Sequence, residues 1–183
     1  MTADQFIASW RYGDLIRIDG SALKALNIPA RSHEFLRGAG LPASIPMDQS
    51  RRLTLLPSIQ VGVGSLFDCV GENAYRALYR SDREIVNAGG LLCLEEGTGS
   101  VVWCYPDGAP STFVNSSVEQ FAASATAFCE LLEARDEIED QEALLALYQQ
   151  FRRRLYVADR RALRSLFYYW PGEIQAYHEC DVD

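Results

Sequence analysis

Histidine is nearly absent from this 183-residue chain, which has only His33 and His178, and its five cysteines are widely spaced with no C-x-x-C pair. Zinc sites and disulfide frameworks need ligands or partners at short regular spacing, so neither is expected. Cys69, Cys93, Cys104, Cys129 and Cys180 read instead as small buried hydrophobes in a reducing compartment. No uninterrupted apolar run reaches the roughly 18 residues of a membrane span. Met1 to Trp10 also lacks the basic start and apolar centre of a secretory signal, so the cytoplasm is the expected location and no membrane partner is expected.

Catalytic patterns are equally sparse. Neither histidine stands in a motif that would make it a base for Cys69 or Ser65, and both read as surface or cap residues. Gly62-Val63-Gly64-Ser65 has neither the third glycine of a dinucleotide loop nor a Gly-Lys-Ser/Thr ending, and reads as a strand end or bulge. Glu95, Glu96 and Asp107 offer oxygen ligands, but without calcium-loop spacing. No enzyme and no cofactor are expected.

What the chain does have is an ordinary globular balance, 48% hydrophobic and 23% charged, at a length that suits one domain over residues 1–183. The net charge of −8 is unevenly divided. Residues 1–64 carry 7 basic and 5 acidic groups, residues 65–150 carry 4 and 15, and residues 151–183 carry 6 and 5. An acidic middle of this kind repels phosphate backbones and attracts basic proteins. Arg152-Arg153-Arg154 reads as charge complementing a helix C-terminus rather than as a nucleic-acid site, so no nucleic acid is expected.

Periodicity divides the chain into helical and strand-rich parts. Phe6, Ile7 and Trp10 share a helical face, Ser21 to Leu26 makes a further turn or two, and Ser32 to Arg37 forms a helix that stops at Gly38 and Gly40, with Leu41-Pro42 as a corner. Strands are expected near Leu53–Leu56, Ile59–Val63, Ala74–Tyr79, Glu84–Asn87, Leu91–Leu94 and Val101–Tyr105. Two glycines in Glu95-Glu96-Gly97-Thr98-Gly99-Ser100 suit a tight hairpin between the last two. Pairing Leu94 with Val101 puts Leu91, Cys93, Val102 and Cys104 on one face and Leu92, Leu94, Val101 and Trp103 on the other. Both faces are apolar, which predicts cover on each side by the helices that follow. Cys93 and Cys104 fall on a diagonal, which disfavours a disulfide.

Phe113 to Ser117 is the most informative stretch. A strand over Ser111–Asn115 gives way to Ser116-Ser117-Val118-Glu119, which has capping-box spacing with Ser116 as the cap. Phe121, Ala125, Phe128 and Leu132 continue as one buried stripe. A second helix is expected over about Asp140 to Tyr156, with Leu144, Tyr148, Phe151 and Leu155 buried. Asp159 would cap a third containing Leu163, Leu166, Phe167 and Trp170, ended by Pro171-Gly172. Acids cluster from Glu130 to Asp140; the last three or four suit the N-terminal turn of the second helix, and alternatively they are part of an acidic docking face.

Three segments, Phe35 to Pro42, Leu92 to Val102 and Phe113 to Phe121, together resemble the SUKH superfamily of immunity proteins, in particular its fourth subgroup, found beside bacterial polymorphic toxins. The resemblance covers roughly residues 29–133. It implies an α+β fold with a central, mostly antiparallel sheet flanked by helices, and neutralisation of a cognate toxin by direct binding without catalytic residues. Residues from about 138 to 183 would be a helical C-terminal addition. An acidic inhibitor suits a basic toxin such as a nuclease or deaminase. Asp68, Glu72, Glu95, Glu96 and Asp107 are the candidate docking acids, with Tyr105 as an aromatic anchor. A non-catalytic adaptor of the same fold is the alternative, and the oligomeric state is left open.

Overall fold

The structure is a computed structural model and describes residues 1–24, 26–48, 52–56, 66–67, 75–81, 90–105 and 109–180. Its frame is an antiparallel sheet in the order β3 (Ser44–Pro46), β4 (Arg52–Leu55), β6 (Tyr75–Ser81), β7 (Leu91–Glu95), β8 (Val101–Cys104) and β9 (Thr112–Asn115). The two-residue β5 (Leu66–Phe67) adds to β6, and β1 (Leu15–Ile16) pairs with β2 (Leu41–Pro42) in a separate ribbon. Leu41-Pro42, expected as a corner, is thus a strand. Ile59–Val63 and Glu84–Asn87 lie outside the described residues.

The β7–β8 hairpin has the register its sequence implies, with Leu94 opposite Val101, Cys93 opposite Val102 and Leu91 opposite Cys104. Gly97 and Gly99 take φ of 85° and 74° in the turn, a region open to glycine without a steric penalty. Leu92, Leu94, Val101 and Trp103 face the main core. Cys93, Val102 and Cys104 face a smaller cluster with Tyr75 and Ala77, and among the described residues no helix contributes to it. Among the described residues the helices therefore cover one face, where cover on both had been expected. Cys93, Cys104 and Cys129 are buried free thiols.

The main core is closed by α4 (Val118–Arg135), which lays Phe121, Ala125 and Phe128 onto the sheet. Leu131 is buried in the fourth position of the stripe, with Leu132 only half-covered. Helices α1 (Ala3–Ser9) and α3 (Ala30–Gly38) pack beside it, and the short α2 (Gly20–Lys24) leads into α3. Phe6 and Trp10 are buried one turn apart in ring contact at 5.7 Å, whereas Ile7 is 39% exposed because it lies off that face. On the far side of α4 lies α5 (Gln141–Ala158), whose Tyr148, Phe151 and Leu155 are buried. Its cap is Asp140, which accepts from the Ala143 N–H at 2.7 Å.

Five expectations for the second half shift. The cap of α4 is Ser117, which accepts from the Gln120 N–H, and Glu119 pairs with Arg31 at 3.3 Å and accepts from the Ser32 hydroxyl at 3.0 Å rather than reaching back to the cap. Asp159 caps a single 3-10 turn, Arg160–Leu163, after which the chain loops and α6 (Tyr169–Cys180) begins. Pro171 and Gly172 sit in the first turn of α6, where a missing N–H costs no intrahelical bond. They open that helix instead of ending its predecessor. Leu166 and Phe167, expected in the core, are 78% and 90% exposed. The three arginines precede the last turn of α5 and do not occupy it.

A buried polar joint ties the sheet to this C-terminal layer. The Asp159 carboxylate accepts from the Ser116 N–H at 2.6 Å, the Ser116 hydroxyl at 3.1 Å and the Arg161 N–H at 3.0 Å. Asn115 donates to Ser124 Oγ at 3.1 Å and accepts from Trp170 Nε1 at 2.9 Å. Trp170 fills the remaining space against Phe128 and Phe151, with ring centroids 5.6 Å and 6.2 Å away.

Candidate partner-binding surface

The turn of the β7–β8 hairpin is held rigidly. The Gly97 N–H donates to Asn27 O at 2.6 Å, in the linker between α2 and α3, and Gly99 faces Pro29 so closely that a Cβ there would lie 2.7 Å from the ring Cδ. Thr98 bonds to the Glu95 carboxylate and also accepts from the Ser100 N–H at 3.1 Å. The half-buried Glu95 is thereby fixed at the end of β7, opposite Tyr75. A carboxylate pre-positioned in this way loses little side-chain entropy on meeting a cation.

Glu96 is placed differently. Its carboxylate accepts from Arg76 Nε at 2.7 Å, and the two side chains are only 16% and 13% exposed. Such a shielded pair is neutral as seen from solution, so Glu96 offers a partner less charge than its position in the turn implies. Tyr105 follows β8 and is half-buried against the main core, with its hydroxyl 3.4 Å from Thr112 Oγ1. Asp68, Glu72 and Asp107 lie outside the described residues. Of the six candidates, Glu95 and Glu96 thus share one turn and Tyr105 stands at the opposite end of the same hairpin.

The acids between α4 and α5 are partly spoken for. Glu130 pairs with Arg154, Glu133 with Arg11 and with the Tyr12 hydroxyl at 3.2 Å, and Asp140 caps its helix. Asp136, Glu137 and Glu139 remain exposed there. A cleft of about 260 Å³ beneath this junction is lined by Tyr12, Asp48, Cys129, Glu133 and Asp136 among others. Burial pushes the Cys129 thiol up to about 12, aided by the negative charge of Glu130. Desolvation similarly raises the Tyr12 phenol to about 12. A thiol held protonated is a poor nucleophile.

His33 has its Nε2 3.0 Å from Leu26 O and serves to tie down the segment before α3. Among the described residues no group of three His, Cys, Asp or Glu side chains is placed to hold a metal, and no helix is long and apolar enough to cross a membrane.

Among the described residues an antiparallel sheet carries helices on one face, which makes the molecule an α+β protein. The SUKH-4 immunity protein model matches residues 2–176, and the chain belongs to that family. The match takes in α5 and most of α6, which lay beyond the three motifs. Neither the curated proteins nor the solved structures contain a match.

Proposed function

We propose that this protein neutralises a cognate bacterial polymorphic toxin by binding it directly in the cytoplasm, without chemistry of its own. The observation that carries the reading is the family match over residues 2–176. The net charge of −8, concentrated in the middle of the chain, suits a basic toxin such as a nuclease or deaminase, because complementary fields speed encounter and suppress wrong partners.

The hairpin turn is the docking centre in this reading. Glu95 supplies a pinned carboxylate, Glu96 supplies one whose charge is shared with Arg76, and Tyr105 supplies an amphipathic ring. Asp68, Glu72 and Asp107 complete the acidic set. Co-expression with the toxin domain encoded beside this gene tests the proposal: growth should be rescued and the two proteins should co-purify. Growth arrest together with no co-purification would overturn it.

A further inference from the structure

Five of the seven large hydrophobic side chains exposed among the described residues lie on the C-terminal helical layer, away from the acidic hairpin. On α5, Leu145 and Tyr156 are 46% and 53% exposed and Val157 is 86% exposed, and Leu166 and Phe167 follow on the loop before α6. Leu145, Gln149, Arg152 and Tyr156 recur at helical spacing and form one outward stripe of α5. Beside that stripe runs an open groove of about 410 Å³, walled by Leu145 and Arg152 from α5, Leu163 and Leu166 from the 3-10 turn and loop, and Ile174 from α6.

The stretch of chain that supplies one side of this groove is basic, in contrast to the acidic middle of the sequence. Residues 152–170 contain six arginines and one acid, Asp159, which is 4% exposed and committed to the polar joint. Arg154 is paired with Glu130, and Arg161 lies over the Phe113 ring at 4.7 Å. Arg152, which lines the groove, and Arg164, which stands between its lining residues Leu163 and Leu166, are exposed and make no ion pair with any described residue, whereas Arg153 lines a separate cleft. An apolar floor with a cationic border is the complement of an amphipathic segment whose apolar stripe is flanked by carboxylates. A symmetric dimer through this face would bring the arginines of both copies together, which disfavours a second copy as the occupant.

We infer that the groove between α5, the 3-10 turn and α6 is a docking site for an acidic amphipathic helix of a partner protein, separate from the acidic hairpin face. The two surfaces select partners of opposite charge, so one molecule can hold both at once. This inference goes beyond toxin neutralisation and stands without it.

The test uses the intact chain and two synthetic 18-residue helices with the same Leu/Phe stripe, one flanked by glutamates and the other by lysines. Because the whole protein carries −8, unspecific attraction favours the lysine peptide. The inference requires the glutamate peptide to bind with fluorescence anisotropy saturating in the micromolar range. Leu145→Ser with Leu166→Ser should weaken it at least tenfold, as should Arg152→Glu with Arg164→Glu, while lysine-peptide binding is not weakened. These side chains are exposed, and unchanged circular dichroism would show that the variants fold. No binding of the glutamate peptide, or binding that survives both double variants, would overturn the inference. Concentration-dependent dimerisation lost in the same variants would also overturn it, by naming a second copy as the occupant.

Discussion

The backbone N–H of Ser116 donates to the Asp159 carboxylate at 2.6 Å, joining the end of β9 to the start of the 3-10 turn across 43 residues of chain. One carboxylate thereby caps that turn, fixes the junction between β9 and α4, and holds the C-terminal layer on the core. The Phe113 to Ser117 stretch is thus a structural junction.

Asp159→Ala removes a charged acceptor from the half-buried Ser116 N–H, from the Ser116 hydroxyl and from the Arg161 N–H, and should cost about 3 kcal/mol. Ser116→Ala deletes only a hydroxyl contact and should cost about 1 kcal/mol. Urea denaturation of the two variants and their double mutant measures the coupling. An Asp159→Ala loss within experimental error of zero would mean that the joint does not hold the layer.

Three glycines with positive φ should rank by what surrounds them. Gly97 has open space where a Cβ would go, so Gly97→Ala should cost only the backbone penalty of about 1 kcal/mol. At Gly99 the new methyl also meets Pro29 Cδ at 2.7 Å, which should raise the loss to about 2 kcal/mol. At Gly40 it meets the Ile16 carbonyl oxygen at 2.1 Å, backbone that cannot swing aside, and the loss should reach about 4 kcal/mol. Thermal melts that placed Gly97→Ala lowest in stability would contradict the hairpin geometry.

Cys129 gives stability an alkaline limit. Its thiol is pushed from 9.0 to about 12 by burial, so between these values the folded protein keeps a proton that the unfolded chain has lost. Stability from this source is full below pH 9 and falls as pH rises towards 12, by at most roughly 1.4 kcal/mol per pH unit. Tyr79, whose phenol burial raises well above 10.0, acts in the same direction. Urea midpoints measured from pH 7 to 11 should hold level and then drop, and Cys129→Ala should soften the drop. An equal slope in both proteins would remove Cys129 as a cause.

The hairpin was legible because its signals are local: alternating apolar residues fix two faces, and two glycines mark the turn. The α4 cap was misplaced by one residue for an equally physical reason. Ser116 and Ser117 carry the same cap chemistry, and what decides between them is Asp159 and Arg31, neither of them near in sequence. Pro171-Gly172 is punctuation that opens or closes a helix, and here it opens one. Leu166 and Phe167 fit a buried stripe only if one helix runs on from Asp159. The chain instead breaks after Leu163 and turns both outward.

Within the docking surface, Glu95 and Glu96 were legible as acids in a turn, but the Arg76 partner of Glu96 comes from β6 and depends on the pairing of β6 with β7. The apolar groove of the C-terminal layer had no signature of its own, since exposed and buried leucines look alike in sequence.

Titration of the purified protein with the toxin domain encoded beside it, by calorimetry at two salt concentrations, tests toxin neutralisation most directly. Stoichiometric binding is expected, weaker at higher salt, with Glu95→Lys costing more affinity than Glu96→Gln because the latter charge is already shared with Arg76. Absence of binding at any salt concentration would contradict neutralisation by direct contact, and binding indifferent to Glu95→Lys and to salt would contradict docking through the hairpin.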